Sequence, residues 1–403
     1  MINADNFKHK LQNYLNTKNI YLFWKGRVAL YAILKALDIK PGDEIIVPAF
    51  TCVVVINPIL YLGAKPIYVD IDKKTFNMNP EKIEEKITSK TKVILAQNTF
   101  GLSSDLDSIM EIAKSRDIWV IEDCAHGFGG SYKERKNGTI ADAAFFSTQW
   151  NKPFSTGLGG IAVTNNEFIA KKLEKIEKKA IKPSFKEEFI LKLLMILREK
   201  VLTPEIYWIA LKGYRKLSEW NLILGSSQGY ELKEIKMPKN FLKGFSETQA
   251  KAGLKYFEKV NGEYKIDLII KHRKKIANLY KQILKDLGFE PPYEPSYAEH
   301  TYLKFSLLVK NREKFFKLAE KYKIELGDWF LSPLHPVQEN LEKWLYKWGK
   351  NPIGEFASRH IVNLPTHGKI DENYVDRIYS FLKKYKNEIM GCSVPKDYKK
   401  YEA

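Results

Sequence analysis

Trp119-Val-Ile-Glu-Asp-Cys-Ala-His126 is a short apolar run that ends in polar side chains. A run that starts with aromatic and β-branched residues predicts a buried β-strand, with Asp123 at its carboxyl end. An ionised carboxylate at the end of a buried strand costs free energy unless it faces a partner. Asp123 is therefore a candidate for binding a cationic group.

A second stretch, Ala144-Phe-Phe-Ser-Thr-Gln-Trp-Asn-Lys-Pro-Phe-Ser-Thr-Gly-Leu-Gly-Gly160, follows the same plan. Its apolar strand ends at Ser147, and Lys152 follows in a loop rich in small residues, where backbone can approach a ligand closely. Packing explains a lysine there poorly. The alternative is that Lys152 is an ordinary solvated surface lysine. Asp123, Ser147 and the glycines nearby make this alternative less favoured, because an active site is identified from a set of groups rather than from one residue.

Short β-branched runs alternate with amphipathic segments outward from these two stretches. The predicted strands are 45–47, 65–70, 92–96, 119–122, 143–147 and 160–164, and the predicted helices include 80–88 and 106–115. This alternation predicts an α/β fold with a mostly parallel sheet and helices on both faces. Ligands of such sheets bind beyond the carboxyl ends of the strands.

The composition indicates a globular chain without structural disulfides. The chain has 403 residues, 44% of them hydrophobic, and a net charge of +18. That charge favours anionic partners, but nucleotides, lipids and nucleic acids would all fit it. Cys52, Cys124 and Cys392 lie far apart, which predicts a reducing compartment and no metal site. The polar N-terminus lacks an apolar signal segment, so the expected location is the cytoplasm.

The window 45–64 carries no charge and is long enough to span a bilayer. Pro48 and Asn57-Pro58 would interrupt a continuous helix. We therefore expect a buried strand, a loop at 48–51 and a short apolar helix.

The second half of the chain changes character and sets the predicted domain boundaries. We expect a large α/β domain over 1–245, with a basic helical insertion at about 170–235, and a smaller C-terminal α+β domain over 246–403. A long bridging helix over 247–287 would open the smaller domain. The pattern then predicts a strand at 302–309, helices at 312–321 and 372–386, and a mobile polar tail at 396–403.

The basic segment Lys171 to Lys216 has two interpretations. Its apolar clusters, 189–197 and 206–211, are separated by a turn at Thr203-Pro204 and interleaved with lysines and arginines. They form either helices that pack on the domain or on a partner subunit, or a basic amphipathic hairpin on an anionic membrane surface. The second interpretation would place the protein at the inner face of the membrane.

Several motifs together resemble the DegT/StrS-like sugar aminotransferases, fold-type-I enzymes that use pyridoxal 5'-phosphate and have the aspartate-aminotransferase-like fold. They occur in the family's order and spacing: Lys25-Gly-Arg-Val-Ala-Leu30, Pro41-Gly-Asp-Glu-Ile-Ile-Val-Pro-Ala-Phe-Thr51, Gly63-Ala-Lys-Pro-Ile-Tyr-Val-Asp-Ile-Asp72, Ile121-Glu-Asp-Cys-Ala-His126, Ser332-Pro-Leu-His335 and Val362-Asn-Leu-Pro365. The resemblance runs through most of the chain.

The resemblance assigns the catalytic roles to two residues. Lys152 matches the lysine that forms a Schiff base with the cofactor and then moves a proton between the amino donor and the cofactor. Asp123 matches the aspartate that keeps the pyridinium nitrogen protonated, which makes the ring an electron sink.

Other residues are assigned to binding by the same resemblance. The backbone amides of Gly26, Arg27 and Val28 would hold the cofactor phosphate at a helix N-terminus, with charge added by Arg27. The remaining assignments are Ser147 to the phosphate, His126 to the phenolic oxygen, Thr51, Cys52 and Gln149 to the cofactor, and Trp329 and His335 to the substrate.

The implied reaction transfers an amino group from glutamate to a nucleotide-linked keto-deoxy sugar, in a homodimer with its sites at the subunit interface. Four positions depart from the family pattern near the cofactor pocket: Cys52 replaces an aromatic residue, Leu158 an acid, Asn98 a histidine, and the stretch beginning at Leu242 lacks an Asn-x-Arg motif. They leave open an alternative, a cofactor-binding paralogue that is dehydratase-like or non-catalytic. Sugar dehydratases of this family have a histidine in place of the lysine, so Lys152 argues against the former.

Two further classes are disfavoured. Gly127-Phe-Gly-Gly130 and Gly157-Leu-Gly-Gly160 do not have the spacing of a dinucleotide-binding motif, which argues against a nicotinamide dehydrogenase. Lysines and arginines are spread along helices rather than clustered with stacking or base-reading groups, so no nucleic-acid partner is expected.

Overall fold

The computed structural model describes residues 2–201, 213, 216 and 229–401. Its helices are α1 (Ile2–Leu15), α2 (Gly26–Ala36), α3 (Val53–Tyr61), α4 (Leu106–Lys114), α5 (Glu167–Lys178), α6 (Phe185–Val201), α7 (Gly229–Lys233), α8 (Glu247–Leu254), α9 (Lys265–Asp286), α10 (Arg312–Lys321), α11 (Pro352–His360) and α12 (Glu372–Lys384).

The strands are β1 (Asn19–Phe23), β2 (Glu44–Pro48), β3 (Thr51–Cys52), β4 (Lys65–Val69), β5 (Thr91–Gln97), β6 (Trp119–Asp123), β7 (Ser131–Tyr132), β8 (Arg135–Lys136), β9 (Ala143–Ser147), β10 (Gly160–Thr164), β11 (Lys259–Val260), β12 (Glu263–Tyr264), β13 (Ala298–Glu299), β14 (Phe305–Val309), β15 (Leu334–His335), β16 (Ile361–Leu364) and β17 (Ile389–Gly391).

A seven-stranded sheet in the order β1-β10-β9-β6-β5-β2-β4 forms the centre of the large part of the protein. The strands from β9 to β4 are parallel, and β10 is antiparallel to both of its neighbours. The register sets Gln97 beside Asp123, and Asp123 beside Phe145, so the carboxyl ends of β5, β6 and β9 lie together. The predicted fold class is confirmed.

Alternate residues of the central strands face opposite layers of helices, as expected for a sheet covered on both sides. Ile45 and Val47 pack in the same core cluster as α2 and α3. Ile46, between them, packs in another cluster that includes residues of α4. The uncharged window 45–64 thus folds as β2, a short connection with β3, and α3, which confirms the expected strand, loop and helix.

No helix in the described part of the chain is both long and apolar enough to cross a bilayer.

The C-terminal part is built on the antiparallel sheet β16-β14-β17, with α9, α10 and α12 packed on it. The single bridging helix predicted over 247–287 is wrong. Helix α8 ends at Leu254 and α9 begins at Lys265, with the β11–β12 hairpin between them. Asn261 and Gly262, both with positive φ, form the turn, and Asn-Gly is the preferred pair for a two-residue hairpin.

Three smaller predictions also differ from the structure. The segment 80–88 forms two 3₁₀ turns, Pro80–Lys82 and Glu84–Lys86, instead of one helix. The strand expected from 302 begins at Phe305, since Tyr302 has a positive φ. The tail is held in place as far as residue 401, because the Tyr398 ring is buried against Phe356.

Strand pairing and hydrogen bonds join the C-terminal part to the end of the large sheet. Strands β3 and β15 pair in parallel, so that His335 lies opposite Cys52. The Asp70 carboxylate accepts hydrogen bonds from the first amides of α11, those of Ile353 at 3.0 Å and Gly354 at 2.8 Å. A carboxylate at a helix N-terminus is stabilised by the amides that have no acceptor within the helix. These contacts place residues 329–335 over the carboxyl ends of the strands.

The basic insertion begins with α5 and α6. Leu191 of α6 is fully buried against Trp24 and Leu158, which fixes the helix on the large part of the protein. The turn predicted at Thr203-Pro204 and the apolar cluster 206–211 lie outside the described residues.

Candidate active site

Asp123 is the last residue of β6 and only 3% exposed. Its Oδ1 accepts a hydrogen bond from the Ala125 amide at 2.9 Å. Burial raises the pKa of Asp123 to about 6, while the positive charge of Lys152 opposes that rise. The carboxylate is thus set to favour a cationic partner at the strand end.

Lys152 lies in the loop after β9 and is 7% exposed. Its Nζ lies 4.4 Å from the centre of the Trp329 ring. Burial lowers the pKa of Lys152 to about 7, although the charge of Asp123 acts to raise it. The lysine therefore carries a substantial neutral fraction near neutral pH, the form required of a nucleophile or a base.

The loop that carries Lys152 is held by hydrogen bonds on both sides. The hydroxyls of Thr148 and Thr156 are 2.7 Å apart, and the Thr156 amide donates to the Thr148 carbonyl at 2.8 Å. Gln249 Nε2 donates to the Leu158 carbonyl at 2.6 Å. Gln249, which the sequence interpretation did not assign to the site, therefore positions this loop. A Ser246-x-x-Gln249 capping box, which the structure confirms, was the available signal.

Helix α2 begins beside Ser147. A Cβ built on Gly26 would lie 3.0 Å from Ser147 Cβ and 3.3 Å from its Oγ, so glycine permits this approach. The first amides of a helix have no acceptors within it, and they attract anions. Val28 differs from its predicted role, because its N–H donates to the Lys25 carbonyl at 3.0 Å. Gly26 and Arg27 are the amides that begin the helix.

Arg27 extends toward a carboxylate instead of standing alone. Its Nη1 lies 2.5 Å from Glu231 Oε1, and Lys25 Nζ lies 4.0 Å from Glu231 Oε2. All three side chains are largely buried, and burial lowers the pKa of Lys25 to about 8. Glu231 belongs to α7 and, like Lys25, was not among the predicted site residues. The charge predicted from Arg27 is therefore partly neutralised.

Aromatic side chains lie over the Lys152 amine and the His126 ring. The His126 ring stacks on Trp329 with centres 4.8 Å apart, and on Phe330 at 5.9 Å. His126 Nδ1 accepts a hydrogen bond from the Phe100 amide at 3.2 Å. Burial, with the nearby positive charges of Lys152 and Lys304, lowers the pKa of His126 well below its usual value. The imidazole is thus neutral, with its hydrogen on Nε2.

The remaining predicted residues lie at the rim or beneath the site. Thr51 is fully buried, and its hydroxyl donates to Gln97 Oε1 at 2.6 Å. Cys52 precedes α3 and interacts electrostatically with Asp123 and Lys152; burial raises the pKa of its thiol. Gln149 accepts the Lys152 amide hydrogen through its backbone carbonyl at 3.0 Å.

His335, which the resemblance assigned to the substrate, lies 5.8 Å from Trp329, ring centre to ring centre. Its Nδ1 accepts a hydrogen bond from the Leu331 amide at 3.2 Å.

Three of the departures from the family pattern have a packing role in this structure. Asn98 donates to Cys124 Sγ at 3.3 Å and accepts from the Ser104 amide at 3.0 Å. Leu158 packs against Leu191 of α6, and Leu242 is half-buried against the core that contains α2. The fourth, Cys52, borders the site itself.

The sequence profile of the DegT/DnrJ/EryC1/StrS aminotransferase family matches residues 2–194 and 245–383. The chain belongs to this family. It is accordingly an aminotransferase that depends on pyridoxal phosphate, as the sequence motifs predicted. The stretch 195–244, between the matched ranges, contains the end of α6 and all of α7.

Several known proteins are similar to this chain over most of its length. GDP-perosamine synthase of Escherichia coli O157:H7 is 30% identical over 352 residues, which is 87% of this chain and 81% of that protein. The uncharacterized protein MJ1066 of Methanocaldococcus jannaschii is 30% identical over 389 residues, 95% of this chain and 89% of its own length. The putative sugar aminotransferase Spr1654 of Streptococcus pneumoniae, in its PMP form, has a TM-score of 0.73 at 22% identity, covering 95% and 91% of the two chains, which confirms the fold.

Proposed function

We propose that this aminotransferase moves an amino group from glutamate to a nucleotide-linked keto-deoxy sugar, with Lys152 as the lysine that binds the cofactor covalently. The observation that carries the proposal is the buried Lys152 amine, which lies beneath Trp329 and interacts electrostatically with the buried Asp123. Similar proteins named GDP-perosamine synthase and dTDP-3-amino-3,6-dideoxy-alpha-D-galactopyranose transaminase support the class of acceptor.

The residues around this pair fit pyridoxal phosphate. The close approach of Gly26 to Ser147 provides a helix N-terminus and a hydroxyl for the phosphate. Asp123 would hold the pyridinium nitrogen, and His126 would contact the phenolic oxygen. When bound, the cofactor supplies an electron sink for the carbanion formed at the donor carbon.

Each of three side chains has a proton to hold or to move. Lys152, partly neutral near pH 7, takes the proton from the amino-bearing carbon and returns it as the general acid. Asp123 ionises more readily when a cation faces it, so it holds a proton on a nearby ring nitrogen. His126, neutral and protonated at Nε2, donates a hydrogen bond to an oxygen in the site.

Trp329 and Phe330 exclude water from the reacting groups. They pack over His126, and Trp329 also lies over the Lys152 amine. A dry site strengthens the attraction between Lys152 and Asp123, since the local dielectric constant falls. Trp329, with His335, would also contact the sugar.

A spectral titration tests the proposed reaction. Glutamate added to the purified holoenzyme should convert the absorbance of the lysine-bound cofactor to that of the amine form, and one member of a panel of nucleotide-linked keto sugars should reverse the change. A spectrum that no amino donor alters would overturn the transaminase reaction and favour the non-catalytic alternative. Product analysis that finds loss of water from the sugar would instead favour the dehydratase-like one.

We also infer that α6 docks on the anionic inner face of a membrane. Phe185, Phe189, Leu193 and Ile196 repeat at helical spacing and are exposed, Phe185 by 87%. The exposed Lys186 and Lys192 lie on the same helix. Phe189→Ser should then weaken cosedimentation with anionic vesicles, whereas Val260→Ser, which removes another exposed apolar side chain in the β11–β12 hairpin, should not.

The vesicle experiment can also contradict the membrane role or assign the exposed face of α6 to a partner subunit. Binding to zwitterionic and anionic vesicles alike, or to neither, would contradict the membrane role. Sedimentation velocity of the same samples tests the expected homodimer, and dissociation of that dimer by Phe189→Ser would assign the exposed face of α6 to a second copy instead.

A further inference from the structure

A second lysine shares the Trp329 ring with Lys152. Lys304 immediately precedes β14, and its Nζ lies 5.6 Å from the centre of that ring, while Lys152 Nζ lies 4.4 Å from it. The two amines are therefore at most about 10 Å apart, the sum of the two distances. Lys304 was not among the residues that the sequence assigned to the site.

The charges around Lys304 leave it without a close counter-ion. Within the described ranges no carboxylate lies within ion-pair distance of its Nζ. Glu325 and Asp328 attract it from farther away, while Arg273 and Arg198 repel it, and burial lowers its pKa.

The nearby groups have other contacts of their own. Glu325 lies 3.1 Å from His367, and Arg273 donates to the Leu303 carbonyl at 3.2 Å and to the Thr366 hydroxyl at 2.9 Å. A half-buried ammonium that lacks a close anion is costly in a purely structural role. Such groups, in a cleft beside other perturbed residues, are typical of functional sites.

We propose that Lys304 binds an anionic oxygen group of a substrate whose reacting carbon lies at Lys152. The proposal rests on the aminotransferase function and extends it by one substrate-binding residue from the C-terminal part of the chain. Two sources offer the same oxyanion chemistry: the carboxylate of the amino donor and the phosphate of the nucleotide-linked sugar.

The separation of the two lysines suits such a ligand. Four covalent bonds of about 1.5 Å, from a reacting carbon to a carboxylate oxygen, span roughly 5 Å. A charge-assisted hydrogen bond adds about 2.8 Å at the Lys304 end. Together these lengths come to about 8 Å, which fits within the upper limit of about 10 Å between the two amines. Trp329, between the two amines, would cover the apolar part of the ligand.

Substitution of Lys304 tests the proposal in the holoenzyme. Lys304→Met keeps most of the volume and removes the charge, Lys304→Arg keeps the charge, and Lys310→Met is the control, because it removes an exposed lysine just beyond the same strand. Two half-reactions are followed separately, one with glutamate and one with the nucleotide-linked keto sugar.

Loss of one charge-assisted hydrogen bond predicts a fall in kcat/KM of about 10- to 100-fold in Lys304→Met, mainly through KM. Lys304→Arg should recover part of it, and Lys310→Met should stay within twofold of the wild type. A loss confined to the half-reaction with glutamate would show that Lys304 binds the donor carboxylate. A loss confined to the half-reaction with the sugar would show that it binds the nucleotide phosphate. If Lys304→Met binds the cofactor fully and both half-reactions keep the wild-type kcat/KM, the proposal is wrong.

A chemical-protection experiment on the wild-type protein tests the same proposal if the Lys304 variants do not fold. Acetylation of Lys304 in the wild-type holoenzyme, mapped by mass spectrometry, should slow at least fivefold with saturating glutarate or with a nucleoside diphosphate. Protection by neither ligand contradicts the inference. Because this readout needs no turnover, it distinguishes failure at Lys304 from an enzyme that performs no half-reaction at all.

Discussion

Gly160→Ala offers a direct perturbation of the predicted phosphate site. Gly160 begins β10 beneath the N-terminus of α2, and an added Cβ would lie 2.1 Å from the Lys25 carbonyl oxygen and 2.7 Å from the Gly26 nitrogen. Ordinary contacts begin at 3.4 Å, so the Lys25 carbonyl would have to move by about 1.3 Å (3.4 − 2.1). That carbonyl accepts the Val28 and Ala29 amide hydrogens, so the first turn of α2 must move with it.

The displacement has two measurable effects. Overpacking of this kind destabilises a protein by about 1–3 kcal/mol. A shift of about 1 Å in a group that positions a ligand can lower the reaction rate by up to about 100-fold. We expect the same shift to lower the affinity for pyridoxal phosphate at least tenfold. Urea unfolding of the apoprotein measures the first effect, and an absorbance titration with the cofactor measures the second.

Gly368→Ala is the matched control, because a Cβ at Gly368 meets no atom within 4 Å. Its free energy of unfolding should stay within about 0.5 kcal/mol of the wild type, with unchanged cofactor affinity. A Gly160→Ala protein that is destabilised but binds the cofactor normally would refute the role of α2 in holding the phosphate. Normal stability would refute the packing argument itself.

Three further predictions concern the pH dependence and the supports of the site. Covalent capture of pyridoxal phosphate by the apoprotein should speed up as pH rises to about 7 and then level off, because the neutral amine of Lys152 reacts; a rate still rising at pH 10 would show an ordinary lysine. Glu122→Gln should lower the free energy of unfolding by about 1–3 kcal/mol, since Glu122 accepts three backbone amides of the following loop; Glu111→Gln, on the surface of α4, should not. Leu191→Ala should cost about 2–5 kcal/mol in thermal or urea unfolding, while Leu193→Ala, exposed on the same helix, should be nearly neutral.

The sequence was most informative where local pattern and tertiary structure agree. The apolar runs that end at Asp123 and Ser147 predicted both strands and their ends, because a buried parallel strand has few polar residues within it. The same runs placed Lys152 and Asp123 at one edge of the sheet. Long-range contacts required the structure: Trp329 and Lys304, both in the C-terminal part, approach Lys152 only through the packing of that part on the large sheet.

Local signals were also missed or overridden. Asn261-Gly262 marked a hairpin inside what the helical periodicity suggested was one long helix. The Glu231 carboxylate comes from the insertion and meets Arg27 across about 200 positions of sequence, which no periodicity could reveal. Tyr398, in a stretch whose composition suggested a mobile tail, is held by its contact with Phe356.

The most direct test of the account is to locate the cofactor on the chain. Borohydride reduction of the holoenzyme, followed by peptide mass spectrometry, should find the pyridoxyl group on Lys152, and Lys152→Ala should lose both the attachment and the absorbance band. A pyridoxyl group on another lysine, such as Lys25 or Lys304, or on no lysine, would contradict the central claim.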